Sequence, residues 1–490
     1  MIHCARVFKG KENTVSYTSA IYAKRYGIVA AVSMAAVSIL GSVSAAQAVT
    51  VTDVTARQRW PWNSLVDVGF RIAGGKEGEA FAIDITAEYD GGKKKLAAYT
   101  YLSEPIAGAG SNSIVWDMGA DYPDFHADDM TLYVTATPLS DTTPVYMVID
   151  LAAGPDAEKY PVRYTTKAPV IHHPDEDLQA ALSDKCRTTE MWFRRIPAAG
   201  SLSALLWRKP EATDDKSKKN AFWIKLTKDF YFAIFETTQQ QWYQLTGEWP
   251  SYFSNETYRA VRPLERVTVA DLRGQWLWPD DKSITEDSVL KKLRDRTGLN
   301  TIDLPTLAQH NYASCAGESG TGSELNYYKD ELGRKLGLNE IARYSANSGK
   351  AAIVDGVETN LVTSLCDLTL GSACVGSYKP NLFGIYDTIG NIFEICLDAY
   401  MSAAARKAYY YPRDADGNYI ETDWKGNPVI DPVGPTQQAA KDANSNKLRI
   451  IYRNGSWYHS NGYCNLWYNS DLTPTGSSSH IGFRLAVTCE

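Results

Sequence analysis

The chain has 490 residues, enough for two or three domains of ordinary size, and carries 50 Lys and Arg against 57 Asp and Glu, a formal net charge of −7. That balance leaves no broad basic surface, which argues against nucleic acid as the main partner. Apolar residues at 44% and aromatics at 11% exclude a largely disordered chain.

The first element reads as an export segment. Past Lys24-Arg25, the stretch from Gly27 to Gln47 is uncharged and closes on Ala46-Gln47-Ala48, the small-x-small pattern of a signal cleavage site. Serines interrupt it, whereas a bilayer span needs about 20 consecutive apolar residues. Residues 1–48 are therefore expected to be a removed signal peptide. The mature chain would begin at Val49, hold no stable membrane span and be exported to the periplasm, cell surface or medium. Cys186, Cys315, Cys366, Cys374, Cys396, Cys464 and Cys489 follow the cleavage site. An odd number leaves at least one unpaired. Cys366 and Cys374 close a short loop and are expected to form a disulfide.

Residues 49–165 read as strands. Val66, Val68, Phe70 and Ile72 alternate with Asp67, Gly69 and Arg71, and Phe81, Ile83 and Ile85 repeat the pattern. Leu132, Val134 and Ala136, then Val145–Leu151, continue it, with turn signals at Gly74-Gly75 and Asp90-Gly91-Gly92. Such period-2 runs mark half-buried antiparallel strands, and their number predicts an immunoglobulin-like β-sandwich. Asp117, Asp121, Asp124, Asp128 and Asp129 cluster between two runs at a spacing that matches no EF-hand loop, and are expected to be a solvated acidic turn. A linker is expected at 166–185, where Pro169 and His172-His173-Pro174 stand beside an acidic stretch.

From 186 to 490 the pattern changes: long stretches have no clear period, and Gly, Asn and Trp are frequent. One helix is predicted at 237–246 with Thr238 as its cap, and another near Leu304–Cys315. The chain has 30 Tyr and 13 Trp against 13 Phe, aromatics with a polar handle that suit loop-rich cores and recognition surfaces. Gly390-Asn391 suits a tight turn with positive φ.

Trp192–Ala198, Phe230–Gln239, Pro263–Val269, Leu304-Pro305-Thr306, the long run Pro380–Asp398, Arg453-Asn454-Gly455-Ser456-Trp457 and Ile481–Leu485 follow one another along this region. In that order these blocks resemble formylglycine-generating, or sulfatase-modifying-factor, domains. The resemblance implies an α+β domain of the C-type-lectin-like class with little regular structure. It also implies calcium held by the Gly-Asn block with upstream residues, here Asn347, Asp367, Asn391 and Glu394. The oxidases of this family bind copper with two cysteines five residues apart. At the matching positions this chain has His459 and Cys464, and the basic residues usual after the second cysteine are missing. Thiolates suit Cu(I) because both are soft, so the imidazole changes the donor set. Cys464 is instead expected to form a disulfide, with Cys396 as its mate.

Two readings compete. The first is a non-catalytic binding or scaffold module whose Trp/Tyr surface holds a glycan, peptide or protein. The second is a copper-dependent oxidase with an atypical His459–Cys464 site.

Overall fold

The computed structural model describes residues 19–23, 28–32 and 49–489, apart from 60–63, 77–78, 128, 140–144, 175, 207–220, 318–327, 330–332, 350–351, 355–356, 360–370, 402–404, 406–408 and 410–427. The chain divides into two compact units. One is Met1–Val148 with Val162–Ala168; the other is Ile149–Pro161 with Pro169–Glu490.

In the first unit the alternating runs become strands. Leu65–Ala73 pairs antiparallel with Thr50–Gln58 on one side and Gly110–Asp117 on the other. Met130–Pro138 pairs with Phe81–Tyr89 in a second sheet, which Lys94–Ala97 extends. Val68, Phe70, Ile72 and Trp116 of the first sheet share one apolar cluster with Phe81, Ile83, Leu132 and Val134 of the second. Period-2 alternation thus buries one face of each sheet against the other. The pairings establish a two-sheet β unit and go no further toward an immunoglobulin topology. Two short strands, Ser19–Ala23 and Ile28–Val32, pair with each other inside the expected signal segment, and the second runs parallel to Met130–Leu132.

The acidic cluster caps turns. Asp117 accepts from the Ala120 amide, Asp129 from the amides of Asp90 and Gly91, and Asp121 from those of Tyr99 and Thr100 and from the Trp116 indole. Asp128 lies outside the described residues.

The second unit begins earlier than the expected boundary. The segment read as a linker is folded onto it from Pro169, with a short helix, Leu178–Ser183, capped by Asp177. His172 Nδ1 meets Asp184 at 2.6 Å, while His173 Nε2 meets the Ser377 carbonyl at 3.0 Å, so the adjacent histidines serve different partners. Both predicted helices are present. Gln239–Thr246 starts in a Thr238/Gln241 capping box and ends at Gly247 in the left-handed region; Leu307–Ser314 starts in a Thr306/Gln309 capping box. A third, Val289–Thr297, is capped by Ser288 and Gly298.

The strand Phe230–Ala233 lies between Glu190–Ile196 and Ala486–Thr488. A second sheet joins Phe393–Ala399, Ile450–Arg453, Asn469–Leu472 and Ile481–Gly482. Between these sheets and the long loops, buried arginines do the work that ladders do elsewhere. Arg187 donates to the carbonyls of Val375, His172 and Gly376; Arg343 to those of Gly371 and Asn347; Arg453 to those of Leu307 and Leu466. A guanidinium has five donors in a rigid fork, so one side chain satisfies several loop carbonyls that would otherwise be buried without partners.

Candidate functional site

The Gly390-Asn391 block builds its turn as its residue types require. Gly390 has φ +80°, and a Cβ there would stand 2.5 Å from the Arg343 carbonyl oxygen. Asn391 follows at φ +56°. The turn delivers Glu394 into the interior, where it is 1% exposed. There it accepts from His310 Nε2 at 2.6 Å and from Arg484 through Nε, at 2.6 Å, and Nη2. Burial pushes the Glu394 carboxyl up, but Arg484 and His310 outweigh it and hold it down at about 2. Burial pushes His310 down to about 4 against the pull of Glu394. The pair is therefore a neutral imidazole donating Nε2–H to a carboxylate, and Ser314 Oγ meets Nδ1 at 3.2 Å. Nearby, Glu236 accepts from Asn391 Nδ2 at 2.6 Å and from the Ile392 amide at 3.1 Å, and burial with Asp387 and Glu394 pushes it well up.

The expected calcium ligands are engaged in the same way. Asn391 Oδ1 accepts from the Ala373 amide at 2.9 Å, and Asn347 Oδ1 from the Tyr344 amide at 2.8 Å. Asp367 lies outside the described residues. As placed, Asn347, Asn391 and Glu394 fit hydrogen-bonded turns better than a cation shell. Among the described residues, no group of three or more His, Cys, Asp or Glu is arranged to hold a metal.

The other expected pair has two different surroundings. Cys464 points inward and packs with Cys315, Tyr328, Ile389 and Leu466. Burial pushes its thiol up to about 12, against a hydrogen bond from the Ser456 backbone. Its expected disulfide with Cys396 is not seen: among the described residues both are free thiols, as are Cys186 and Cys374. Cys396 is wholly buried in the strand Phe393–Ala399, with burial pushing its thiol well up. Cys366, the expected mate of Cys374, lies outside the described residues. His459 has its Nδ1 on Ser456 Oγ at 2.8 Å and its ring centroid 4.8 Å from Phe393 and 5.1 Å from His480 and Tyr463. Burial disfavours the free Cys464 thiolate, and the other position carries an imidazole, so the pair of soft thiolate donors is not present. These residues do not fit the copper chemistry that the resemblance implies.

What the sequence reading missed is the surface outside His459. Rings touch in a continuous ribbon: Tyr252, Phe253, Trp457, Tyr458, His480, His459, Tyr463 and Tyr468, each step between 4.8 and 5.5 Å. Tyr252, Tyr458 and Tyr463 are 62, 46 and 39% exposed, among the few large hydrophobics that are. One sequence signal marks it. From Asn454 to Phe483 the only residue among Asp, Glu, Lys and Arg is Asp471, in a chain that is 22% charged.

Fold and site together define a loop-rich α+β domain with an aromatic face that includes His459, above the buried Cys464. Residues 199–489, more than half of the chain, match the family described as Sulfatase-modifying factor enzyme 1-like domain, and the chain belongs to that family. It is 27% identical over 187 residues to Chaperone protein LppX of Paenibacillus barcinonensis, covering 34% of this chain and 61% of that one. It is 32% identical over 120 residues to the formylglycine-generating enzyme of Streptomyces coelicolor, covering 24% of this chain and 29% of the enzyme. The chain thus spans less than two thirds of either relative. Among solved structures, Treponema denticola variable protein 1 is similar at 21% identity and a TM-score of 0.38, over 61% of this chain and 95% of that one. PvdO from Pseudomonas aeruginosa is similar at 15% identity and a TM-score of 0.38, over 66% of this chain and all of that one.

Proposed function

We propose that this protein is an exported, non-catalytic binding module of the sulfatase-modifying-factor family, which holds a glycan, peptide or protein ligand on its aromatic face. The observation that carries the reading is the fate of the two family cysteine positions. One is Cys464, a buried thiol pushed up to about 12; the other is His459, an imidazole set among surface rings. Oxidation of a substrate cysteine by the family route needs two thiols that together capture a soft metal, and only Cys464 supplies one, facing inward. Large aromatic rings with polar tips supply contact area and orientation, which is what binding needs and bond-making does not. The relative LppX is described as a chaperone protein, which agrees with a binding role.

The test is to incubate the full chain with a Cys-x-Pro-x-Arg peptide, copper, reductant and oxygen, and to follow the mass change of formylglycine formation. No product above a Cys464→Ala control is expected. Product that depends on Cys464 would overturn the binding reading in favour of the oxidase.

A further inference from the structure

We propose that the aromatic face is a protein-recognition surface whose partner is a folded polypeptide presenting uncharged aliphatic and amide groups. This rests on the binding-module reading and names its ligand.

Charge comes first. Asp471, the single formal charge between Asn454 and Phe483, is occupied by Arg449 at 3.1 Å. A phosphate-bearing ligand would find almost no cation along this stretch; at one end Arg266 stands over the Tyr252 ring and the buried Arg262 over Phe253. A neutral face is cheap to desolvate, and it matches a partner patch that is neutral as well.

Ring orientation separates protein from linear glycan. A sugar chain lies best on faces that are parallel and share a plane. Here Tyr252–Phe253, Phe253–Trp457 and Trp457–Tyr458 cross at 86°, 80° and 81°, and His459 crosses His480 at 68°. Only the Tyr458–His480 step, at 15°, is stacked. The ribbon therefore shows ring edges and hydroxyl tips in alternating directions, a corrugated surface suited to interdigitating side chains. The hydroxyls of Tyr252 and Tyr463 have no protein partner among the described residues, and both side chains are exposed.

Residue types and rigidity point the same way. Tyr458, Ser460, Asn461, Gly462, Tyr463 and Asn465 belong to the small set that dominates antibody paratopes. In that set, tyrosine gives large contact area at low entropic cost, and Ser, Asn and Gly give adaptable hydrogen bonds. The backing is fixed before any partner arrives. Trp457 Nε1 donates to the Ser479 carbonyl at 3.1 Å; Asn465 donates to the Gly462 carbonyl at 2.8 Å and accepts from the Tyr468 amide at 2.7 Å. A Cβ at Gly455 would stand 2.7 Å from Cys464 Cα, so the loop sits on its support with no room between. Preorganisation of this kind lowers the entropic cost of association.

The test exposes the labelled full chain to two arrays, one of folded extracellular protein domains and one of neutral oligosaccharides, and titrates every hit. The expected result is binding to protein domains, weakened about tenfold or more by Tyr458→Ala or Tyr463→Ala, as truncation of a central aromatic does. The exposed Ile430, on another sheet, serves as control, and Ile430→Ala should bind as the parent does. Kd should change less than about threefold between about 50 and 500 mM salt, because the contact is uncharged. Hits confined to oligosaccharides would overturn the protein assignment and leave the binding-module reading standing. A steep salt dependence, self-association lost in Tyr463→Ala, or no hit that responds to either tyrosine would each overturn the proposal as well.

Discussion

Asp398 shows what a single buried carboxyl does in this domain. It is 1% exposed, its Oδ2 accepts from the Leu307 amide at the start of a helix at 2.6 Å, and its Oδ1 has no partner among the described residues. Burial pushes it up to about 7. An unfolded aspartate titrates near 3.9, so between about pH 4 and pH 7 the folded protein keeps a proton that the unfolded chain has lost. The stability this contributes is complete below about pH 4 and is lost as the pH rises through about 7. His310, pushed down to about 4, acts in the opposite sense: it lowers stability as the pH falls from its unfolded value near 6.5 toward 4. The wild-type profile therefore mixes opposing slopes, and a variant is needed to separate them. Asp398→Asn keeps an acceptor for the Leu307 amide and cannot ionise. Its stability relative to wild type should rise between pH 5 and pH 8, by an amount on the order of 1–4 kcal/mol. Chemical denaturation at both pH values reads this, and a difference that does not change with pH would contradict the role given to Asp398. Of the residues in this centre, only Glu394 and Asn391 were legible in the sequence. His310, Arg484 and Glu236 lie far from them along the chain, and a motif read locally carries no record of which distant side chains the fold brings back.

At the scale of elements, the turn Gly390-Asn391 was legible because its chemistry is local: a left-handed backbone selects Gly and Asn whatever lies around it. The helices at Gln239–Thr246 and Leu307–Ser314 were legible through their Thr caps, and the strands of the first unit through their alternation. The helix Val289–Thr297 was not, because charged residues fill most of its face and only Leu290 and Leu293 are buried. The aromatic ribbon was missed for a related reason: its rings come from three separated segments, around Tyr252, Tyr458 and His480. The turn also carries a metal prediction. Its side chains are satisfied by protein donors, and a ligand that binds only the folded state stabilises it by mass action. Excess chelator should therefore leave the melting temperature unchanged. A fall of several degrees, reversed by added calcium, would show that Asn347, Asn391 and Glu394 exchange their hydrogen bonds for a cation.

At the scale of the whole molecule, the chain is a two-sheet β unit and a second unit tied together by buried arginines, and the proposed binding function lies on the aromatic face of the second. Family membership was legible because ordered blocks persist where loops must keep their turns. The proposed change of function was legible only in part. The replacement at His459 was visible in sequence, whereas the inward turn of Cys464 into an apolar cluster follows from packing with Cys315, Tyr328 and Leu466. The claim on which the rest depends is that Cys464 is a protonated thiol at neutral pH. Alkylation of the native full chain, followed by peptide mass mapping at stepped pH, tests it directly. The account predicts that Cys464 stays unmodified from pH 6 to pH 9 and reacts only on unfolding. Rapid modification of Cys464 near pH 7 in the folded protein, blocked by Cu(I), would contradict it.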